Sequence, residues 1–241
     1  MSIASGRLRP LRRGRTIPAI DDRDRSPDAT QPSGGRRLAE VVVLWSVGLV
    51  LLAGGIAATI AADVGVGPLD VVTTALNRRT GMDIGVAIVL LNAAMVVVAR
   101  VVGGRVGAAT LATAFALGPA VDLWLRVIDA LPVDIAGVAA WMLLVVGVLL
   151  VGSGGAVQIS SGWGPSPLDA MVVAIAGDRL TLRLVRTVAE VSFAVGGALA
   201  GGALGVGTVV VALGVGPTLS VVVRSLAPVR RRLGVDLDAD R

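Results

Sequence analysis

The sequence contains no cysteine, histidine, tyrosine or lysine. Without cysteine there can be no disulfide, thiol chemistry or c-type haem attachment, and the usual His/Cys zinc ligand sets are missing with it. An enzyme is not expected, because neither a histidine nor a cysteine is available as base or nucleophile; paired carboxylates alone could still do acid–base work. No cofactor and no metal site are expected either. Charge is scarce too: from Val41 to Leu226 only 18 of 186 side chains are ionisable acids or bases.

Apolar residues fill the space these absences leave. They make up 54% of the 241 residues, and mean hydropathy is +0.83. The uninterrupted apolar runs approach the roughly 20 residues that carry a helix across about 30 Å of hydrocarbon. Lipid cannot hydrogen-bond a backbone, so such runs must be helical, and the alternating pattern of a membrane barrel is absent. The chain therefore reads as an all-α, polytopic membrane helical bundle whose principal partner is the lipid bilayer. All 22 basic residues are arginine and the net charge is +5. On a membrane protein this excess marks cytoplasmic flanks facing anionic lipid, so no nucleic acid partner is expected.

Residues 1–36 differ from the rest. Nine arginines precede Leu38, among prolines, serines and glycines without apolar periodicity, which reads as a disordered cytoplasmic tail. It can fix topology, and it is also where a protein partner would be held. Long helices are expected near 41–62, 84–102, 106–126, 138–159, 184–203 and 206–226, with short ones at 68–79 and 167–177. At 1.5 Å per residue the 68–79 segment reaches only about 18 Å, too little to cross, so the short pieces read as half-helices. Trp45, Trp124, Trp141 and Trp163 fall at or near the ends of the expected spans, where an aromatic belt would lie.

The chain also repeats itself. Gly48, Gly55 and Gly65 correspond to Gly147, Gly154 and Gly164, and Pro68-Leu69-Asp70 to Pro167-Leu168-Asp169, at an offset of 99. After one deletion the offset is 98: Gly103-Gly104 meets Gly201-Gly202, Thr110 meets Thr208, and Gly118-Pro119 meets Gly216-Pro217. Matches of Gly, Pro, Asp and Thr are not what chance pairing of Val/Ala-rich runs produces. Two membrane repeats follow, 37–130 and 131–226, each with three transmembrane helices and one half-helix, before a C-terminal cytoplasmic tail at 227–241. Three crossings per repeat would invert the second, the plan of many transporters. Arg78, Arg79 and Arg126 then fall outside; letting both short segments cross brings them inside at the expense of Arg100 and Arg105, with eight crossings and parallel repeats. Segment length and the Gly-Pro break before each short helix favour six, with both termini in the cytoplasm.

The run Gly65-Val66-Gly67-Pro68-Leu69-Asp70, with Thr80-Gly81, Gly118-Pro119, Arg186-Thr187, Glu190, Gly205-Val206-Gly207-Thr208 and Gly216-Pro217, resembles the YczE/YitT-like family of bacterial integral membrane proteins. The resemblance covers roughly residues 40–226 and departs at Leu69, where relatives carry tryptophan. It implies a multi-pass protein of the plasma membrane and no particular activity.

Eight residues form the candidate cavity, substrate or ion site: Gly67, Pro68, Asp70, Asn92, Pro167, Asp169, Arg186 and Glu190. Proline at a first helical position and an acid in the first turn make a sound helix start without any function. Within a bilayer, however, such carboxylates are costly and should face one another or a wet cavity. Arg186 and Glu190 share a helix face at four-residue spacing, as a neutralised pair or as a responsive carboxylate. Asn92 is the counterpart of Glu190 in the first repeat. The expected function is a transporter or permease-like protein for a small molecule or ion. The alternative is a membrane scaffold or regulator that transports nothing and binds a partner protein or lipid.

Overall fold

The computed structural model describes residues 35–177 and 180–235. Most of the expected N-terminal tail and the last six residues lie outside them. The described residues form nine helices and no strand: α1 (Gly35–Ala61), α2 (Pro68–Thr80), α3 (Ile84–Val101), α4 (Ala108–Asp129), α5 (Val138–Ser161), α6 (Pro167–Ala176), α7 (Leu182–Leu199), α8 (Val206–Ser225) and α9 (Ala227–Leu233). Of these, α1, α3, α4, α5 and α8 are long and apolar enough to cross a membrane. The sixth long helix expected, α7, forms as well, but Arg183, Arg186 and Glu190 interrupt its apolar surface and it is not among those five. The tail expected from residue 227 instead begins with the seven-residue α9.

The α1–α5 pair makes the most extensive interface of the bundle. A Cβ on Gly48 would lie 2.9 Å from the Gly154 carbonyl oxygen, and one on Gly55 only 2.7 Å from that of Gly147. The partner number falls as the helix number rises, so the two helices run antiparallel. Glycine at these four positions removes the side chains that would hold the backbones apart, which is how helices gain close packing where water supplies no drive. Trp45 lies at the same interface. It is 8% exposed, donates its indole N–H to the Thr113 hydroxyl at 3.3 Å, and meets Trp163 edge-to-face with ring centroids 4.8 Å apart. Trp45 therefore faces Thr113 and Trp163 inside the bundle instead of a lipid-facing aromatic belt.

The short helices pack away from their sequence neighbours as well as on them: α2 lies on α7, and α6 lies on α3. Gly197 and Gly202 admit the Val71 backbone, since a Cβ on either would strike it. Thr74 ties the same junction, its hydroxyl donating to the Asp70 carbonyl at 2.7 Å and accepting from the Ala203 N–H at 3.0 Å. Beyond it, Arg79 donates to the Ala200 carbonyl at 2.7 Å.

One pairing has no counterpart. Helices α3 and α4 touch backbone to backbone at Gly85 and Gly118, and Asp122 of α4 accepts the Gly85 N–H at 2.7 Å. Ninety-eight residues later Gly85 becomes Arg183, Gly118 becomes Gly216 and Asp122 becomes Ser220. An arginine cannot occupy a position where two backbones touch, and α7 and α8 do not pack along each other. A Cβ on Gly216 would meet nothing within 4 Å.

Candidate functional site

The two short helices begin differently although both begin Pro-Leu-Asp. In α6, Ser166 is the N-cap: its hydroxyl accepts the Asp169 N–H at 3.2 Å and donates to the Asp169 carboxylate at 2.7 Å. In α2 the same position is Gly67, which has no side chain to cap with. The second partner of Asp169 is Arg186, whose Nη1 lies 2.9 Å from its carboxylate, while the Arg186 Nε lies 3.0 Å from Glu190. Offset by 98, the first-half counterpart of Arg186 is Ile88. Asp70 accordingly has neither hydroxyl nor guanidinium partner among the described residues, and its carboxylate folds back over Gly67.

Both helix starts line one cavity of about 540 Å³, which falls in the size range of small-molecule sites. Gly67, Pro68 and Asp70 contribute from α2, and Ser166 and Pro167 from α6. Asn92 from α3 and the Arg186–Glu190 pair from α7 also face it. Of the eight residues expected at a site, only Asp169 is not in the wall, and it is bound to Arg186, which is. The rest of the wall is mainly aliphatic, including Ile56, Leu91, Met95, Leu117 and Leu219. Thr113 and Leu117 lie mid-way along α4, and Val215 mid-way along α8, so the cavity sits near the middle of the long helices. Both α7 and α8 contribute to the wall without packing along each other.

Asn92 stands out in this wall. It is 6% exposed and its amide nitrogen has no hydrogen-bond partner among the described residues, a cost of about 1–3 kcal/mol for a buried polar group. Two further features were missed from sequence. Ser166 carries a readable signal, the Ser-x-x-Asp spacing of a capped helix start. Arg186 pairing with Asp169 carries none, since the two are 17 residues apart on different helices. Asp122 lies outside this cavity, where it accepts the Gly85 N–H in the first turn of α3.

A helical bundle with five apolar spans and an interior cavity is a multi-pass membrane protein. Residues 39–224 match the model of a family described as "Family of unknown function (DUF6198)", and the chain belongs to that family. It is 25% identical over 166 residues to "Uncharacterized protein YyaS" of Bacillus subtilis, an alignment covering 68% of this chain and 83% of that protein. It is also 25% identical over 181 residues to an "Uncharacterized protein" of Haemophilus influenzae, covering 75% and 78%. No solved structure matches the chain. Membership is therefore in the DUF6198 family, and the resemblance to YczE/YitT-like proteins stays a resemblance.

Proposed function

We propose that this protein is a permease-like transporter of a small solute, built from two inverted repeats that enclose its pathway, with no enzymatic step. The observation that carries the reading is that two half-helix starts from distant parts of the chain line one cavity at mid-height of the bundle. Transporters bind substrate at such interrupted helices, where irregular backbone lines a cavity instead of facing lipid. α2 and α6 span roughly 20 and 15 Å against a core of about 30 Å, so neither crosses it alone.

The α1–α5 contact supports the inverted arrangement. Gly48 and Gly147 are equivalent by alignment, as are Gly55 and Gly154, yet contact runs crosswise, Gly48 to Gly154 and Gly55 to Gly147. Crosswise contact between equivalents is what a two-fold axis lying in the membrane plane produces, and it requires an odd number of crossings per repeat. The charged α7 is then the sixth crossing, with its arginine neutralised by two acids. Val235 packs on Gly162 at the end of α5 that meets the amino-terminal half of α1. Arg37 and Arg230–Arg232 therefore gather at one end, which the positive-inside rule assigns to the cytoplasm, here beneath the plasma membrane.

Reconstitution into liposomes tests the proposal. Osmotic swelling in a panel of small organic solutes and salts should be faster with protein than without, and the Asp70→Asn/Asp169→Asn double variant should lose the gain. A panel in which no solute moves faster than through protein-free liposomes would overturn it. Deleting residues 1–36 addresses the scaffold alternative: flux should survive the deletion, whereas a scaffold would lose its cellular effect.

A further inference from the structure

We infer that the cavity binds an organic monocation with an aliphatic body, and that Asp70 is its counter-charge; this rests on the permease reading and names its substrate class. Three carboxylates, Asp70, Asp169 and Glu190, stand at or beside the cavity against one guanidinium, that of Arg186. The formal excess is two negative charges. Each half-helix start contributes about +0.5 of helix dipole, so the field left for a ligand is about that of one negative charge.

A helix amino end ordinarily invites an anion. Here each already holds an acid of its own in the first turn, and Arg186 is committed to two carboxylates. No cationic side chain in the wall remains for an anion to bind. The acids are not equivalent either: Asp169 is bound by Ser166 and Arg186, while Asp70 has neither because Gly67 and Ile88 stand in those places. Asp70 is therefore the acceptor left open to a ligand.

Asn92 marks the cavity as a ligand site independently, without bearing on the ligand's charge. Its side chain lines the cavity nine-tenths buried with an amide that lacks a partner, so the site holds polar capacity that the protein itself does not use. An inorganic cation fits poorly. Calcium takes six to eight oxygen ligands, at roughly 2.3–2.6 Å, and magnesium a near-ideal octahedron. The carboxylates of Asp169 and Glu190 are taken by Arg186, which leaves Asp70 as the one carboxylate at the cavity for a metal ion. A volume of about 540 Å³ with mainly aliphatic walls suits an alkylammonium body.

The test is a head-group series on the full chain in a nonionic detergent. Hexylammonium, 1-hexanol and hexanesulfonate share the hexyl chain and differ in charge. Saturable binding of the ammonium is expected, with the alcohol and the sulfonate weaker by about tenfold or more, as befits a charge-assisted contact. Asp70→Asn should weaken the ammonium by about tenfold while leaving the alcohol unchanged. Equal binding of the three compounds, or an undiminished ammonium affinity in folded Asp70→Asn, would overturn the inference. If that variant does not fold, the head-group series on the unaltered protein decides alone.

Liposome flux separates the two readings. Ammonium binding without flux of any solute keeps this inference and overturns the permease. Protein-dependent flux of neutral or anionic solutes without ammonium binding does the reverse, and loss of both overturns both.

Discussion

The guanidinium of Arg186 lies 2.9 Å from the Asp169 carboxylate, joining the start of α6 to α7, with Glu190 on its other side at 3.0 Å. One arginine thus holds two acids that would otherwise repel each other beside the cavity. Arg186→Gln should lower the thermal midpoint by the equivalent of about 1–3 kcal/mol, a range kept modest because the group is half exposed. Adding Asp169→Asn and Glu190→Gln removes the orphaned charges and should recover most of the loss. A triple variant no more stable than the single one would show that charge balance is not what the arginine supplies.

Gly118 and Gly216 align with each other but live in different surroundings. Gly118→Ala pushes a methyl into the Gly85 backbone and should destabilise by about 1–3 kcal/mol. Gly216→Ala meets open space and should be neutral or stabilise by up to about 1 kcal/mol through helix propensity. Thermal melts of the two variants in one detergent give the comparison, and equal shifts would contradict the separation of α7 from α8.

Thr74 is the hydrogen-bond junction between α2 and the chain entering α8. Thr74→Val keeps the shape and strands the Ala203 N–H, at a cost of about 1–3 kcal/mol, while Thr74→Ser should retain most of the stability. Hydrogen exchange at residue 203 should quicken in the valine variant alone.

The tryptophans can be told apart by fluorescence. In single-tryptophan variants reconstituted with brominated lipid, Trp141, 43% exposed on the surface of α5, should be quenched strongly. Trp45, 8% exposed and bonded to Thr113, should be quenched weakly when phenylalanine replaces Trp163 and keeps its cover. Comparable quenching would return Trp45 to an aromatic belt.

Much of this molecule was legible in order of residues alone, because the relevant forces are local. Apolar run length dictates helix length where lipid leaves the backbone no other partner, and proline at the first position with an acid in the first turn makes a sound helix start. The long helices and both short ones duly lie close to their expected limits, and so does the spacing of Gly48, Gly55, Gly147 and Gly154. The two Pro-Leu-Asp runs even contained the difference between Ser166 and Gly67, although only contact gave it meaning.

What the sequence by itself determined is therefore the eight helices up to Ser225, their insertion in lipid and the Pro-Leu-Asp starts of the two short ones. Tertiary structure alone decided that Asp169 is neutralised while Asp70 is not, that Trp45 is interior, and that α7 stands off from α8. Those outcomes depend on which side chains arrive from segments far apart in the chain. Burial, charge pairing and close approach are properties of such meetings, and no local pattern encodes them.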